Sequence, residues 1–266
     1  LIPAGRCRCR ASTITTSAFS RARRSRGSTS TTAGSSGYVG GGGLFGGELK
    51  DEDFPPVVVP YSATLSDNKS GSVIYGNVDV GIKFVRGPDF HVGGFVGYHF
   101  LRDYVDALGC TQIASNTDIC FPSIPDSVRG VSQTNTWHSL RLGFEAAVEF
   151  DQRWKVTLDA AWLPYAALSG ADTHLLRIGA NPGDFTGPVP DDGKGWGYQF
   201  DAIVSYRFSD WVSVGVGGRY WHVEAKGHSH FEGHVVDINA QSQVVHWRAD
   251  HFGAFIQANI KLVPTG

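Results

Sequence analysis

Trp137–Tyr165 reads WHSLRLGFEAAVEF, then DQR, then WKVTLDAAWLPY, and both longer pieces alternate residue by residue. In the first, Leu140, Leu142, Phe144, Ala146, Val148 and Phe150 share one face, opposite Ser139, Arg141, Gly143, Glu145 and Glu149. In the second, Val156, Leu158, Ala160 and Trp162 oppose Lys155, Thr157 and Asp159. A period of two is the signature of a β-strand with one apolar face, and Asp151-Gln152-Arg153 between the two marks a tight turn.

The same alternation recurs in Ser72–Arg86, Gly197–Asp210, Trp211–Val223 and Asp250–Leu262. Weaker, Gly-rich versions occupy Gly37–Leu49 and Phe90–Asp103. These runs outlast the roughly 5–6 residues of soluble strands and reach the ~9–11 residues that a tilted strand needs to cross a bilayer. A soluble barrel would turn the apolar face inward. Here the other face carries Arg141, Glu145, Asp159, Asp201, Arg207 and Arg219, which predicts a wet or networked lumen and an outer wall against lipid. Aromatics near the strand ends, among them Tyr98, Phe150, Trp154, Trp162, Phe208 and Trp211, fit interfacial girdles. The expected fold class is all-β, an antiparallel transmembrane β-barrel with eight readable strands.

Connection lengths alternate as well. Residues 86–89, 151–153 and 209–210 are tight turns, whereas 50–71, 104–136, 169–195 and 224–246 read as long loops. Outer-membrane barrels keep short turns on the periplasmic side and long loops outside, so all four long loops are expected at the extracellular end.

Composition agrees. Of 266 residues, 34 are Gly, 12% are aromatic and only 18% are charged, a profile uncommon among soluble enzymes. No stretch approaches the ~20 apolar residues of a spanning helix, so strands must make any crossing. The net charge of −2 conceals an asymmetry: the first 47 residues hold seven Arg and no acid, and the remainder is acidic. Residues 1–36 read as a low-complexity basic segment, residues 37–262 as the barrel and 263–266 as a short tail. The basic segment stays open between a disordered tail, the barrel's first hairpin and a stretch that does not represent natural barrel sequence. It is poor in the aromatics that stack on bases, so no nucleic-acid partner is expected. It shows no apolar core of an export signal, and such a signal is expected to have been removed. Cys110 and Cys120 lie in a polar, turn-rich stretch and are expected to form a disulfide in an oxidising compartment. Cys7 and Cys9 complete no zinc pattern.

Two acidic clusters stand just above strand ends on the same rim. Asp51-Glu52-Asp53 follows the first readable strand, and Asp172-Thr173-His174 follows the fifth. Four strands separate them, which places them across the mouth from one another. Residues two apart on an extended chain point the same way. Asp172 therefore accompanies His174, raising its basicity and fixing its tautomer, and Asp51 accompanies Asp53. A water between the two pairs is a plausible nucleophile for peptide hydrolysis. Taken singly, each cluster is more often a solvated loop. His228, His230, Glu232 and His234 match no standard zinc spacing; they read as solvated, and neither a metal nor an organic cofactor is expected.

The chain resembles the omptins, outer-membrane aspartyl-type proteases of Gram-negative bacteria. The likeness rests on Lys50-Asp51-Glu52-Asp53-Phe54, on Ala171-Asp172-Thr173-His174, and on Val92-Gly93-Gly94-Phe95-Val96-Gly97-Tyr98 followed by Arg102-Asp103-Tyr104. It implies ten strands, with the missing hairpin drawn from residues 1–36. It also implies catalytic roles for Asp51, Asp53, Asp172 and His174, a monomer in the outer membrane, peptide or protein substrates, and lipopolysaccharide as a lipid partner required for activity. The sequence departs from the family at Gly170, where a specificity acid would stand, and in its cysteines. The rival expectations are a small porin or adhesin, and a lipid-modifying barrel, for which no Ser–His pair at the lipid boundary is legible.

Overall fold

The computed structural model describes residues 2–20, 32–54, 62–117, 119–236 and 239–261. Nine strands among them close into one barrel: β1 Ile2–Ser20, β2 Thr32–Phe54, β3 Ser62–Arg86, β4 Phe90–Gln112, β5 Ile124–Phe150, β6 Trp154–His174, β7 Val189–Arg207, β8 Val212–Ser229 and β9 Gln243–Lys261. Each strand pairs antiparallel with the next, and β1 pairs parallel with β9. The parallel seam is a matter of parity: in an up-and-down barrel an odd strand count leaves the first and last strands running the same way. The ten strands implied by the resemblance are thus nine among the described residues. Residues 1–36 contribute β1 and the opening of β2 instead of a complete extra hairpin.

Among the described side chains, the outer wall is apolar at one level on β2 to β9. Leu140, Leu142, Phe144, Val204, Ile256 and Ile260 are exposed, as expected, and so are Ile74, Val78, Val80, Leu158 and Phe200 on other strands. Phe144 is 63% exposed, whereas Arg141, three residues before it on the opposite face, is 1% exposed. Trp154, Phe150, Phe208 and Trp211 ring the short-turn end, and Tyr98, Trp162, Tyr165 and Trp196 the opposite boundary. No helix is long and apolar enough to cross a membrane among the described residues, and the crossing is made by strands. A belt of this kind is the outer wall of a transmembrane barrel.

The strands outrun the belt. β6 has 21 residues; at about 3.3 Å per residue and a tilt of about 40° it climbs about 50 Å, roughly twice a ~25 Å apolar band. The loops read at 50–71, 104–136, 169–195 and 224–246 are therefore in large part strand. β4 runs to Gln112 and β5 begins at Ile124, and the remaining β6–β7 and β8–β9 connections are residues 175–188 and 230–242. The misreading has a physical source. Above the belt both faces of a strand meet polar surroundings or the lumen, so the alternation that marks a strand in sequence disappears.

The lumen is networked and filled. Arg141 donates to Asp79 at 2.6 Å and to Asp159 at 2.9 Å. Arg219 donates to Asp201 at 3.0 Å, and its guanidinium lies 4.1–4.5 Å from the ring centres of Phe255, Trp221 and Tyr75. Higher up, Leu101, Val105, Trp137, Leu163, Leu168, Trp221, Val223 and Trp247 form a buried apolar cluster. Of the wet or networked lumen expected, the structure has the networked form: among the described residues the interior at these levels is filled by packed side chains, as in small barrels rather than porins.

Candidate active site

Both acidic clusters reach the mouth through a break in the alternation. On β6 the lumen-facing residues are odd-numbered up to Leu163, with Trp162 outside; above Pro164 they are even, with Ala166 and Leu168 buried and Tyr165 outside. Register shows the cause. Leu163 and Ala166 face Gly197 and Gly195 on β7, so three steps on β6 match two on β7. A β-bulge inserts one residue and reverses every side chain beyond it, and proline, which donates no ladder hydrogen bond, belongs at such a place. Without this bulge, Gly170, Asp172 and His174 would continue the lipid-facing row of Val156, Leu158 and Trp162.

β2 repeats the device. Leu44 is buried in the lumen cluster, yet five residues on, Leu49 also packs against it, an odd step that requires a reversal. Cys9 and Ala11 of β1 face Gly47 and Leu44, one extra residue on β2. Gly46 sits there at φ +74°, a left-handed conformation that glycine adopts without strain. Beyond it Asp51 shares the inward row of Leu49. Glu52 lies in the opposite row, ion-paired with Lys50 at 2.5 Å. The side chain of Asp53 lies outside the described residues. Both clusters are therefore on strands, not on the loops where the sequence placed them.

β2 and β6 stand four strands apart in the ring of nine, on opposite sides of the mouth. Asp172 Oδ1 lies 3.5 Å from His174 Nδ1. That is an ion-pair distance, too long for a closed hydrogen bond, and both atoms are buried without another partner. Burial pulls the His174 imidazole toward the neutral form; Asp172 beside it and Asp51 across the mouth outweigh this, and the net direction is upward. Asp51 thus contributes to the rise from the facing wall of the mouth.

Two groups at this site, Asp191 and Phe185, had no signal in the sequence, and a third, His230, expected to be a solvated loop histidine, is paired instead. Asp191 on β7 lies directly across the strand pair from Gly170. It is 2% exposed, accepts a hydrogen bond from Ser229 Oγ, and keeps its Oδ2 unpartnered. Burial, then the charge of Asp172, pushes its carboxyl up to about 7. Phe185, in the β6–β7 connection, stacks on His174 with ring centres 4.4 Å apart and planes 8° apart. His230 is held between Asp192 and Glu232. Hydrogen bonds to both carboxylates raise its pKa, and they link β7 to the β8–β9 connection. A cross-strand or cross-loop neighbour has no fixed spacing in sequence, so no pattern could have found Asp191 and Phe185.

Among the described residues no three His, Cys, Asp or Glu side chains come together as a metal site. Cys110 and Cys120 form a disulfide, Cα to Cα 5.6 Å, joining the end of β4 to the following connection.

No protein-family model and no curated protein matches the sequence. Among solved structures, the chain is similar to the outer membrane protease OmpT from Escherichia coli, at 16% identity and a TM-score of 0.49, covering 80% of this chain and 76% of that one.

Proposed function

We propose that the chain is an omptin-like endopeptidase of the bacterial outer membrane, with its long-loop end facing the cell exterior. The observation that carries this reading is the double reversal: a bulge on β2 and another on β6 turn Asp51 and the Asp172–His174 pair into the same mouth. Such reversals cost ladder hydrogen bonds, and a rim of merely solvated acids has no need of them.

In this mechanism the His174 imidazole, neutral and with one nitrogen toward Asp172, takes a proton from water as the oxygen attacks the peptide carbonyl. The imidazolium is stabilised by Asp172 and then returns the proton to the leaving amine. Asp51, with Asp53, holds the water from the opposite wall. Asp191 supplies a carboxyl on the cleft floor where Gly170 has none, suited to a substrate N–H donor. Lipopolysaccharide is proposed as the lipid partner of the outer wall.

The test is cleavage of a mixed peptide library by the purified protein, refolded with lipopolysaccharide and read by mass spectrometry. His174→Ala should lower kcat by about 10²–10⁴-fold, the usual contribution of a general base, with the barrel still folded. Because the His174 pKa is raised and the base must be neutral, activity should appear as pH rises through a midpoint above the ordinary histidine value of about 6.5. A wild-type protein that cuts no peptide, or a His174→Ala variant as active as wild type, refutes the protease and favours an adhesin.

A further inference from the structure

The Asp172–His174 pair is incompletely tied. His174 Nδ1 and Asp172 Oδ1 are buried, 3.5 Å apart, and neither has a hydrogen bond. A carboxylate at that distance attracts the imidazole but does not set the plane of its ring, because a Coulomb contact is far less directional than a hydrogen bond. Something else must hold that plane if one nitrogen is to face Asp172 while the other faces the cleft.

We infer that Phe185 is a positioning residue for His174, its ring fixing the plane in which the imidazole presents its free nitrogen to the cleft. The two rings are almost parallel, at 8° and 4.4 Å, whereas the contact of Phe185 with Phe231 is looser and inclined, at 6.1 Å and 47°. Phe185 is 4% exposed although it belongs to a loop. Its backbone is fixed from both sides. Phe185 N donates to Arg177 O at 2.7 Å, and its carbonyl accepts from Gly179 N at 3.1 Å. It also bridges to Val235 in the β8–β9 connection. Around that bridge, Thr186 N donates to His234 O at 2.9 Å, and Val236 N to Asp184 O at 2.8 Å. Two loops are stitched together, and the residue at the stitch lies on the imidazole. The Arg177 guanidinium, 4.8 Å from the centre of the Phe185 ring, packs against it as well. A ring held this firmly confines the imidazole next to it to the parallel plane and costs the site no reorganisation during the reaction.

The role rests on His174 being the general base of the proposed peptidase, so the test has one arm that needs no catalysis. Wild type, Phe185→Leu, which keeps bulk but not a flat ring, and Phe185→Tyr, which keeps the ring, are refolded with lipopolysaccharide in detergent. The imidazole protons of His174, assigned through His174→Gln, are followed by NMR. In wild type and Phe185→Tyr they should be shifted upfield by the aromatic ring current as one sharp set. In Phe185→Leu the shift should vanish and the signals broaden. In peptide cleavage, Phe185→Leu should lower kcat by about ten- to a hundredfold, the scale of a misplaced catalytic group, with KM unchanged, and Phe185→Tyr should restore it. A His174 ring that keeps its upfield shift in Phe185→Leu overturns the inference, and so does a lost shift with unchanged kcat. If wild type cuts nothing, the peptidase reading fails on its own, and the ring-current arm still decides whether Phe185 fixes His174.

Discussion

The lower and upper halves of this barrel follow different rules, and β6 shows both. From Trp154 to Leu163 the strand keeps one parity, with Trp154, Val156, Leu158 and Trp162 toward lipid and Lys155, Thr157, Asp159, Ala161 and Leu163 toward the lumen. From Tyr165 to His174 the parity is reversed, and the inward row runs from buried Ala166 and Leu168 to Gly170, Asp172 and His174. The lower half is governed by its solvent: each side chain meets hydrocarbon or the packed lumen, and misplacing a charge on the lipid face costs several kcal/mol. The upper half has no lipid to enforce alternation, so a bulge is tolerated there and can be used to aim side chains. The division of labour is physical: the belt fixes the register, and the bulges above it redirect the acids without disturbing that register.

The sharpest way to break this contrast is to add one residue above the bulge. Inserting a single Ala between Leu168 and Ser169 reverses the parity once more, and Asp172 and His174 should then point outward. Peptide cleavage should fall by more than about a hundredfold, while the protein still migrates as a folded barrel on unheated gels. Retained activity would show that the reversal does not aim the site.

A change in the lower half should have the opposite profile. Arg141→Ala leaves Asp79 and Asp159 buried without their cation. Breaking a buried ion pair by removing one partner costs about 3–5 kcal/mol, so denaturant unfolding in detergent should shift to clearly lower concentration. Activity of the surviving folded fraction should change little.

The smallest effect is expected at the rim. Replacing Cys110 and Cys120 with Ser opens a loop closed over a sequence separation of 10. The loop-entropy cost is at most about 2–3 kcal/mol. Because the bond staples a connection beside β4, the loss should appear as faster proteolysis near residues 113–123, not as a lower unfolding midpoint of the barrel.

The alternation of Trp137–Tyr165 and its repeats was sufficient to establish an all-β transmembrane barrel, the tight turns and the identity of the lipid-facing side chains, because a bilayer punishes any departure from period two. The order of two acidic clusters along the chain, four strands apart, placed them on opposite sides of one mouth, since in an up-and-down barrel sequence order is spatial order. Tertiary structure alone decided the rest. The count of nine came from β1, whose Ser/Thr/Arg-rich sequence carries no apolar face to read. Which way Asp172 and His174 point was settled by a single extra residue near Pro164, and the simple alternation extrapolated from Val156 and Leu158 would have sent them into the wrong solvent. The partners Asp191 and Phe185 reach His174 through a neighbouring strand and a stitched loop. Contacts of that kind are set by register and chain reversal, which leave no periodic trace in the order of the residues.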